Sequence, residues 1–413
     1  MKLTLLTRTI TMAAVIATAL LFATNSLAAD HYQVIYTMNP TTTHPGTNPT
    51  TGLVSDGAGN LYATDAGNII SGGGAVYQLV PSGRSYLYHE IVLFNFTDGS
   101  TPVGRLAIDA AGNLYGATEV GGANRRYGNI FEISPIDGGK KWTMTILYTF
   151  TSSSYDATGL TMDSKGNLFS ATFYGGTNKL GTVFELSPSG NGQWTYNTIH
   201  NFTAAEGGGP NTQLVFDTNG NLFGGQYATD GTYSGLYELS PSSDGTWTET
   251  NVRTFDGATD GAQPSGPLVF DAAGDMYGSN MVGGLYGAGT AFELTPDGSG
   301  GWNYLVIHNF GQSYLTDGYY PQGGLIRDSA GNLYGMNNQV GPSAGNVFEL
   351  SPGTDGQWTE TILHSFRGGS DGEFPVSGLF MNSAGTLVGA TQAGGNGLGC
   401  GDLGCGVIFE LVP

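Results

Sequence analysis

Short apolar segments alternate with turn residues along almost the whole chain. Within residues 159–202 four of them follow one another, namely GLTMD, NLFSAT, GTVFELSP and WTYNTIHNF. Segments of this length, rich in β-branched and aromatic residues and bounded by Gly, Asn and Asp, predict strands joined by tight turns. This stretch therefore predicts a four-stranded antiparallel unit.

The turn between the first two segments recurs at a period of ~54 residues. Its glycine stands at Gly59, Gly112, Gly166, Gly220, Gly274, Gly331 and Gly385. An Asp at the start of such a turn can accept hydrogen bonds from its own downstream backbone, and Gly or Asn can adopt positive φ, which suits a hairpin. A repeat of this length with four short strands predicts one blade of a β-propeller.

The two ends of the chain complement each other. The last copy stops at GVIFELVP, Gly406 to Pro413, without a fourth strand, whereas HYQVIYTM at 31–38 matches a fourth strand and has no blade before it. We therefore predict an all-β fold, a seven-bladed β-propeller in one domain, residues 30–413, closed by the N-terminal strand on the last blade. The alternative is a solenoid, which needs atypical capping units at both ends. The predicted fourth strands span residues 32–38, 86–96, 142–150, 194–202, 247–255, 302–310 and 358–366.

The first 29 residues have the pattern of a secretory signal peptide. Lys2 and Arg8 precede an apolar run from Met12 to Ala23, and small residues up to Ala28 suit cleavage there. We expect a secreted or periplasmic bacterial protein, a monomer with no transmembrane span in the mature chain. The formal net charge of −20 argues against nucleic-acid binding.

The chain has two cysteines, Cys400 and Cys405, within one glycine-rich loop. In a secreted protein such neighbours are expected to form a disulfide. Two thiolates without a nearby His would supply only half of a zinc site, so the sequence favours the disulfide over a metal.

The combination of GNLYG turns, GG loops, GTVFELSP strands and WTxTxLxxF strands resembles the GloVer tandem-repeat proteins. The resemblance covers nearly all of the predicted mature chain. It implies a secreted bacterial repeat protein and supplies no catalytic residues, because the family has no established activity. Members carry varied C-terminal anchors, whereas this sequence stops at Pro413 without an apolar tail.

Antiparallel order places two kinds of loop on the same face of a propeller: the connections from fourth to first strands and those from second to third strands. Five fourth-to-first loops carry an acid eight residues before the Leu of the first strand: Asp98, Glu206, Asp260, Asp317 and Asp371. These acids form either a partial ring that binds hydroxyl-rich ligands or Ca²⁺, or the ordinary first half of turns. No cofactor other than Ca²⁺ is suggested.

Aromatic residues also concentrate in these loops. They are Tyr127, Tyr155, Tyr174, Tyr227, Tyr233, Tyr286, Tyr319, Tyr320 and Phe374. They suit a glycan or a cell-surface protein as partner, or they brace the loops. We expect a non-enzymatic binding protein, with a structural envelope or matrix spacer as the alternative.

A hydrolase or lyase is the third function that the sequence leaves open, because propellers host such enzymes. It would require one blade to depart from the repeat near the axis. Arg105, Arg125 and Arg126 in the second blade are the best irregular cluster.

Overall fold

Seven antiparallel sheets follow the repeat that the sequence predicts. They belong to a computed structural model that describes residues 32–39, 49, 51–66, 73–83, 85–122, 126–151, 154–227, 231, 234–313, 316–341, 344–395, 400 and 404–413. The predicted signal peptide, residues 1–29, lies outside the described residues. In every sheet the first strand lies at the inner edge and the fourth at the outer edge. The prediction of a seven-bladed propeller is confirmed.

The strands of each blade run in chain order from the axis outward, except that the first strand of the chain is the outermost strand of blade 7. Blade 1 contains Val54–Ser55, Leu61–Asp65, Ala75–Ser82 and Ser85–Leu93. Blade 2 contains Ser100–Ile108, Leu114–Val120, Asn129–Ile136 and Lys141–Thr149. Blade 3 contains a first strand in two parts, Ser154–Ala157 and Thr161–Met162, followed by Leu168–Gly175, Thr182–Gly190 and Gln193–Asn201. Blades 4 and 5 contain Val215–Phe216, Leu222–Tyr227, Ser234–Pro241 and Trp247–Thr254; and Ala262–Pro264 with Val269–Phe270, Met276–Val282, Thr290–Pro296 and Trp302–Asn309. Blades 6 and 7 contain Tyr319–Arg327, Leu333–Gln339, Asn346–Pro352 and Trp358–Ser365; and Glu373–Pro375 with Phe380–Met381, Leu387–Ala393, Val407–Leu411 and Tyr32–Thr37. A short 3-10 helix, Gly369–Asp371, precedes blade 7.

The ring is closed by the first strand in the chain. Tyr32–Thr37 pairs antiparallel with Val407–Leu411, with Tyr32 opposite Leu411 and Thr37 opposite Val407. The prediction of closure by the N-terminal strand is therefore confirmed. The expected fourth strand at 86–96 is wrong at its end, because the strand stops at Leu93 and the buried closing residue is Phe94, while Phe96 is 52% exposed.

A recurring aromatic contact joins neighbouring blades at six of the seven junctions. The buried residue that follows a fourth strand packs against an aromatic ring in the third strand of the next blade, as in Phe310 against Phe348 with ring centroids 4.9 Å apart. Six junctions use such a pair: Phe94 with Phe131, Phe150 with Phe184, Phe202 with Tyr237, Phe255 with Phe292, Phe310 with Phe348 and Phe366 with Phe409. At the junction made by the closing strand, Met38 takes the place of the Phe and shares one core cluster with Tyr77. Edge contacts of this kind add to the stability gained from buried apolar area.

The first strands are interrupted close to the axis. Their pairing with the second strand breaks or shifts register after a residue that is proline in most blades, as between Val103 and Ala107 in blade 2. We call the residues between that position and the following Leu the axial segment. Neighbouring axial segments touch through their backbones, so Gly104 stands where a Cβ would lie 2.2 Å from the Cα of Gly159. Glycine in these segments lets seven strands converge.

Replacing Gly104 by Ala tests this close packing. Gly104 has φ +64 and no room for a Cβ, whereas Gly220, in a turn, has φ +88 and open space around it. Both Gly→Ala changes strain the backbone, but only Gly104→Ala forces two blades apart. We expect Gly104→Ala to lower the free energy of unfolding by ~2 kcal/mol more than Gly220→Ala, measured by urea denaturation. Equal losses would contradict the close contact of blades 2 and 3.

Candidate functional site

A cavity of about 330 Å³ lies on the propeller axis. The axial segments of all seven blades line it, and Asp156, Phe173 and Pro210 lie at the end that faces the two predicted kinds of loop. We call that side of the molecule the loop face. The volume is within the range of small-molecule sites, and it is large enough for one sugar ring.

Arg105 carries the one charge in its ring of equivalent positions. The residue that directly precedes the Leu of the first strand is Gly52, Arg105, Gly159, Gln213, Pro267, Gly324 or Gly378 in blades 1 to 7. The Arg105 side chain crosses blade 1, with Cδ 3.5 Å from where a Cβ on Gly52 would stand, and its guanidinium lies 5.8 Å from the ring centroid of Phe380 in blade 7. The charge therefore sits across the cavity at the end away from the loop face.

Two residues that line this cavity each have a buried polar atom without a hydrogen-bond partner. The atoms are Nε of Arg105 and Oδ1 of Asn211. Burial lowers the pKa of the Arg105 guanidinium. The amide of Asn211 is held in place because its Nδ2 donates to the carbonyl of Pro264 at 2.8 Å. Gln213 is held in the same way, because its Nε2 donates to the carbonyl of Leu160 at 2.7 Å, and its Oε1 accepts no hydrogen bond from the described residues. Nε of Arg105 and Oδ1 of Asn211 are buried against protein, so the groups left for a ligand are the terminal nitrogens of Arg105 and Oε1 of Gln213.

Aromatic rings form a continuous belt on the loop face of blades 2 to 4, from Tyr127 through Tyr155, Tyr174 and Phe173 to Tyr227. Ring centroids are 5.2 Å apart for Tyr127 and Tyr155, and 5.2 Å apart for Tyr155 and Tyr174, which are opposite each other in adjacent strands. Phe173 lies 4.7 Å from Tyr174 and 5.6 Å from Tyr227. We call this set the aromatic belt. Tyr174 is 39% exposed, and Phe173 reaches the cavity wall.

Asp156 stands at the cavity mouth, next in sequence to Tyr155. Burial, and then the charge of Glu119, raise the pKa of Asp156 to about 6. Its φ of +65 lies in the left-handed region, and the equivalent residue of five other blades also has a positive φ: Thr101, Gly209, Gln263, Tyr320 and Phe374. A left-handed residue in each of these blades fixes the direction of the side chain at the mouth. Blade 3 places a carboxylate there.

A second group of apolar side chains lies on the loop face of blades 5 and 6. Tyr286 is 48% exposed and its neighbour Leu285 67% exposed. Tyr319 and Tyr286 both approach Gly311, and the rings of Tyr319 and Tyr320 are 6.3 Å apart. Tyr233 lies outside the described residues. The predicted aromatic contacts therefore divide into two groups rather than one ring.

Four of the five predicted carboxylates contact a basic side chain of the preceding fourth strand. Glu206 lies 3.2 Å from His200, Asp260 2.6 Å from Arg253, Asp317 3.1 Å from His308 and Asp371 3.2 Å from His364. Each also accepts a backbone N–H from its own loop. Asp98 contacts Asn95 and Thr97 within its loop. These contacts hold the loops, and ligand binding by the five acids stays a prediction.

The contact at Asp317 extends to the next blade. Glu360 Oε1 lies 3.8 Å from His308 Nε2, and the three side chains offer ligand atoms within 4.8 Å of one another. Burial, followed by the nearby Asp317, raises the pKa of Glu360 to about 9. With a pKa of about 9, Glu360 is protonated at neutral pH and does not repel the carboxylate of Asp317. A bound cation is therefore not needed to offset that repulsion. The suggested Ca²⁺ site stays a prediction.

The predicted disulfide between Cys400 and Cys405 is present. The described part of the chain contains no helix that is both long and apolar enough to cross a membrane. The disulfide fits an extracellular or periplasmic protein.

A family model for the Gloeobacter/Verrucomicrobia repeat matches residues 140–299 and 226–413, more than half of the chain. The chain belongs to this repeat family. The prediction from the GNLYG and GTVFELSP segments is confirmed. No curated protein matches the sequence.

Solved structures similar to this repeat protein are distant in sequence. A polysaccharide lyase of family PL25, an ulvan lyase, has a TM-score of 0.52 at 11% identity, covering 92% of this chain and 96% of that one. An oxidoreductase described as a glucose dehydrogenase, from Thermus thermophilus, has a TM-score of 0.48 at 13% identity, covering 76% and 98%. At such identities the likeness to the lyase supports the propeller fold alone.

Sequence reasoning identified some members of the site in this repeat protein and missed others. Arg105 was singled out as irregular, and it lines the cavity, whereas Arg126 does not and Arg125 lies outside the described residues. Asp156, Asn211 and Phe173 were missed. A signal for Asp156 exists: blade 3 has Ala157 where the other blades have Pro, and its axial segment is one residue shorter.

Replacing Asp156 by Asn tests the burial of this carboxylate. The pKa of Asp156 in the folded protein, about 6, lies above the ordinary 3.8. The buried carboxylate therefore does not destabilise the folded state below pH ~4, where it is protonated, and destabilises it fully above pH ~6, where it is ionised. We expect Asp156→Asn to raise the free energy of unfolding at pH 7.5 by on the order of 1 kcal/mol, after allowance for solvent screening, and to leave it unchanged at pH 4. Asn also tolerates positive φ. Urea denaturation at both pH values measures this.

Asp328 provides the control of opposite sign. Burial alone would raise the pKa of Asp328, but hydrogen bonds from Asn332 and Tyr334 lower it. Asp328→Asn should therefore lose stability at neutral pH. A gain for Asp156→Asn that does not change between pH 4 and pH 7.5 would contradict the assignment.

Proposed function

We propose that this protein binds a carbohydrate chain outside the cytoplasm, without catalysis, on the loop face of blades 2 to 4. The aromatic belt is the observation that carries the proposal. Sugar rings have apolar faces that pack on aromatic rings and hydroxyl edges that need hydrogen bonds. Secretion, which the sequence of the first 29 residues predicts, would bring the site to such ligands.

The belt has the continuity that an extended ligand requires. Three tyrosines and a phenylalanine follow one another at centroid distances of 4.7–5.2 Å from Tyr127 to Phe173. The Tyr155–Tyr174 pair is positioned by strand pairing rather than by a loop alone. Rings fixed in this way bury area at little entropic cost when a ligand arrives.

Polar groups suited to hydroxyls adjoin the belt. Asp156 follows Tyr155 in sequence and lies at the mouth of the cavity, beside Phe173. A carboxylate accepts hydrogen bonds from pairs of hydroxyls, and the phenolic groups of the belt both donate and accept. Apolar faces and hydroxyls of one sugar chain can thus be contacted together.

Substitutions in the belt test the proposal. We expect the mature protein to bind at least one of a panel of soluble neutral hexasaccharides (cello-, xylo-, manno- and galacto-hexaose) in isothermal titration calorimetry. Tyr155→Ala and Tyr174→Ala should each weaken that binding roughly tenfold through the loss of stacking and buried area. Thermal unfolding of each variant checks that the fold persists.

Tyr286→Ala is the matched control, because Tyr286 is an exposed tyrosine in the equivalent loop of blade 5. It should leave the affinity unchanged. Loss of binding in Tyr286→Ala but not in Tyr174→Ala would move the site to blades 5 and 6 and overturn the assignment to the belt. No binding of any hexasaccharide would count against a neutral glycan ligand altogether.

Glycan cleavage at the same place is a second candidate, favoured by Asp156. A carboxyl with a pKa of about 6 can hold a proton near neutral pH and act as a general acid. Cleavage by the usual glycosidase route needs a second, fixed carboxylate. Glu119 is exposed, and in the described part of the chain no hydrogen bond fixes it. Chromatography of each hexasaccharide after incubation decides, because shorter products would establish catalysis.

A further inference from the structure

The axial cavity contains a cation that the propeller itself does not neutralise. Arg105 lines the cavity with its Nε unpaired, and the described residues provide no ion pair for its guanidinium. The contact that it does make, with the face of Phe380 at 5.8 Å, is weak compared with a carboxylate partner. A largely buried guanidinium without an anion is unfavourable, so a bound anion would stabilise it.

The remaining polar atoms of the cavity narrow the chemistry of that anion. Thr51, Thr158 and Thr212 line the cavity, but their hydroxyls are used within the blades, by Thr64, Ser170 and the N–H of Gly225. Oε1 of Gln213 accepts no hydrogen bond from the described residues and, unlike Oδ1 of Asn211, is not buried. A ligand that uses the free groups of the cavity must carry an anionic group for Arg105 and a hydroxyl that donates to Gln213.

The size and the position of the cavity add two further limits. A volume of about 330 Å³ holds one sugar ring with its substituents but not a chain. Arg105 lies at the end away from the loop face, while Phe173 belongs both to the cavity wall and to the aromatic belt. A residue at the end of a glycan could therefore enter the cavity while the chain crosses the belt.

We propose that the axial cavity binds a sugar acid, with its carboxylate paired to the guanidinium of Arg105 and one hydroxyl donating to the side-chain oxygen of Gln213. The planar guanidinium donates two parallel hydrogen bonds to a carboxylate, which a neutral sugar cannot accept in the same way. This inference deepens the proposed carbohydrate binding and rests on it only where the sugar acid is part of a glycan. A free sugar acid would satisfy the cavity equally.

Calorimetric titration of the mature protein with D-galacturonic acid, and with D-galactose as the neutral match, tests the inference. We expect binding of the acid at least tenfold tighter than of galactose. Arg105→Gln should weaken binding of the acid by roughly 10- to 100-fold, the range for loss of a charge-assisted hydrogen bond, and leave galactose unaffected. Arg105→Lys keeps the positive charge but loses the planar pair of donors. Its affinity for the acid should lie between those of the unaltered protein and Arg105→Gln.

Equal affinity for acid and neutral sugar, absence of binding of the acid, or unchanged affinity in Arg105→Gln would each overturn the inference. The first two results need no variant, so they decide the matter even if Arg105→Gln fails to fold. Trigalacturonic acid separates the two sources of the ligand. Tighter binding than the monomer, reduced by Tyr174→Ala, indicates the end of a glycan, whereas equal binding indicates a free sugar acid.

The two proposals can fail separately. Neutral hexasaccharides that bind through Tyr155 and Tyr174 while galacturonic acid does not bind would leave the carbohydrate function standing and remove the sugar-acid site. If galacturonic acid binds through Arg105 while no hexasaccharide binds, the sugar-acid site stands and the binding of a neutral carbohydrate chain is removed.

Discussion

The antiparallel pairing of Tyr32–Thr37 with Val407–Leu411 is the interaction on which the other features of this protein depend. It gives the seventh blade its outer strand and removes the open edge that an unclosed ring would leave. The pairing also buries Ile35 and brings Met38 into the cluster that contains Tyr77, so that a seventh blade junction complements the six aromatic pairs. With seven blades closed, their first strands surround one axis, and the cavity that contains Arg105 exists.

Much of this architecture could be predicted from the sequence, because it depends on turns formed by neighbouring residues and on the number of strands in each repeat. In the first turn of each blade an Asp or Asn accepts backbone N–H groups two and four residues ahead, as Asp163 does from Lys165 and Asn167. Such a turn depends on residues next to one another, so its sequence is visible in every repeat. Ring closure could be predicted because the last repeat lacks a fourth strand, whereas the N-terminal segment matches a fourth strand and has no blade before it. The end of the blade 1 strand was misplaced because Phe94 and Phe96 both fit the closing position, and only packing against Phe131 selects Phe94.

The candidate site was predicted in part, for a physical reason that differs among its residues. Tyr127, Tyr155 and Tyr174 could be assigned to the loop face by strand order, but their mutual stacking depends on how blades 2 and 3 pack. The carboxylates at Glu206, Asp260, Asp317 and Asp371 looked like a ring of ligands, yet each lies beside a His or Arg two residues before the closing Phe. Both partners recur at fixed positions of the repeat, so the pairing could have been recognised by aligning the repeats. The isolation of Arg105 could not be predicted, because the lack of a partner is a property of the assembled cavity.

Hydrogen–deuterium exchange of the native protein, followed by mass spectrometry, tests ring closure most directly. Backbone amides in a closed ring open only with the whole structure or a large part of it. The account predicts that Tyr32–Thr37 exchanges as slowly as Trp358–Ser365, the outer strand of blade 6, and that Val407–Leu411 exchanges as slowly as Asn346–Pro352, an interior strand of blade 6. Fast exchange in Tyr32–Thr37, together with faster exchange in Val407–Leu411 than in Asn346–Pro352, would show an unclosed seventh blade and contradict the structure proposed for the axial site.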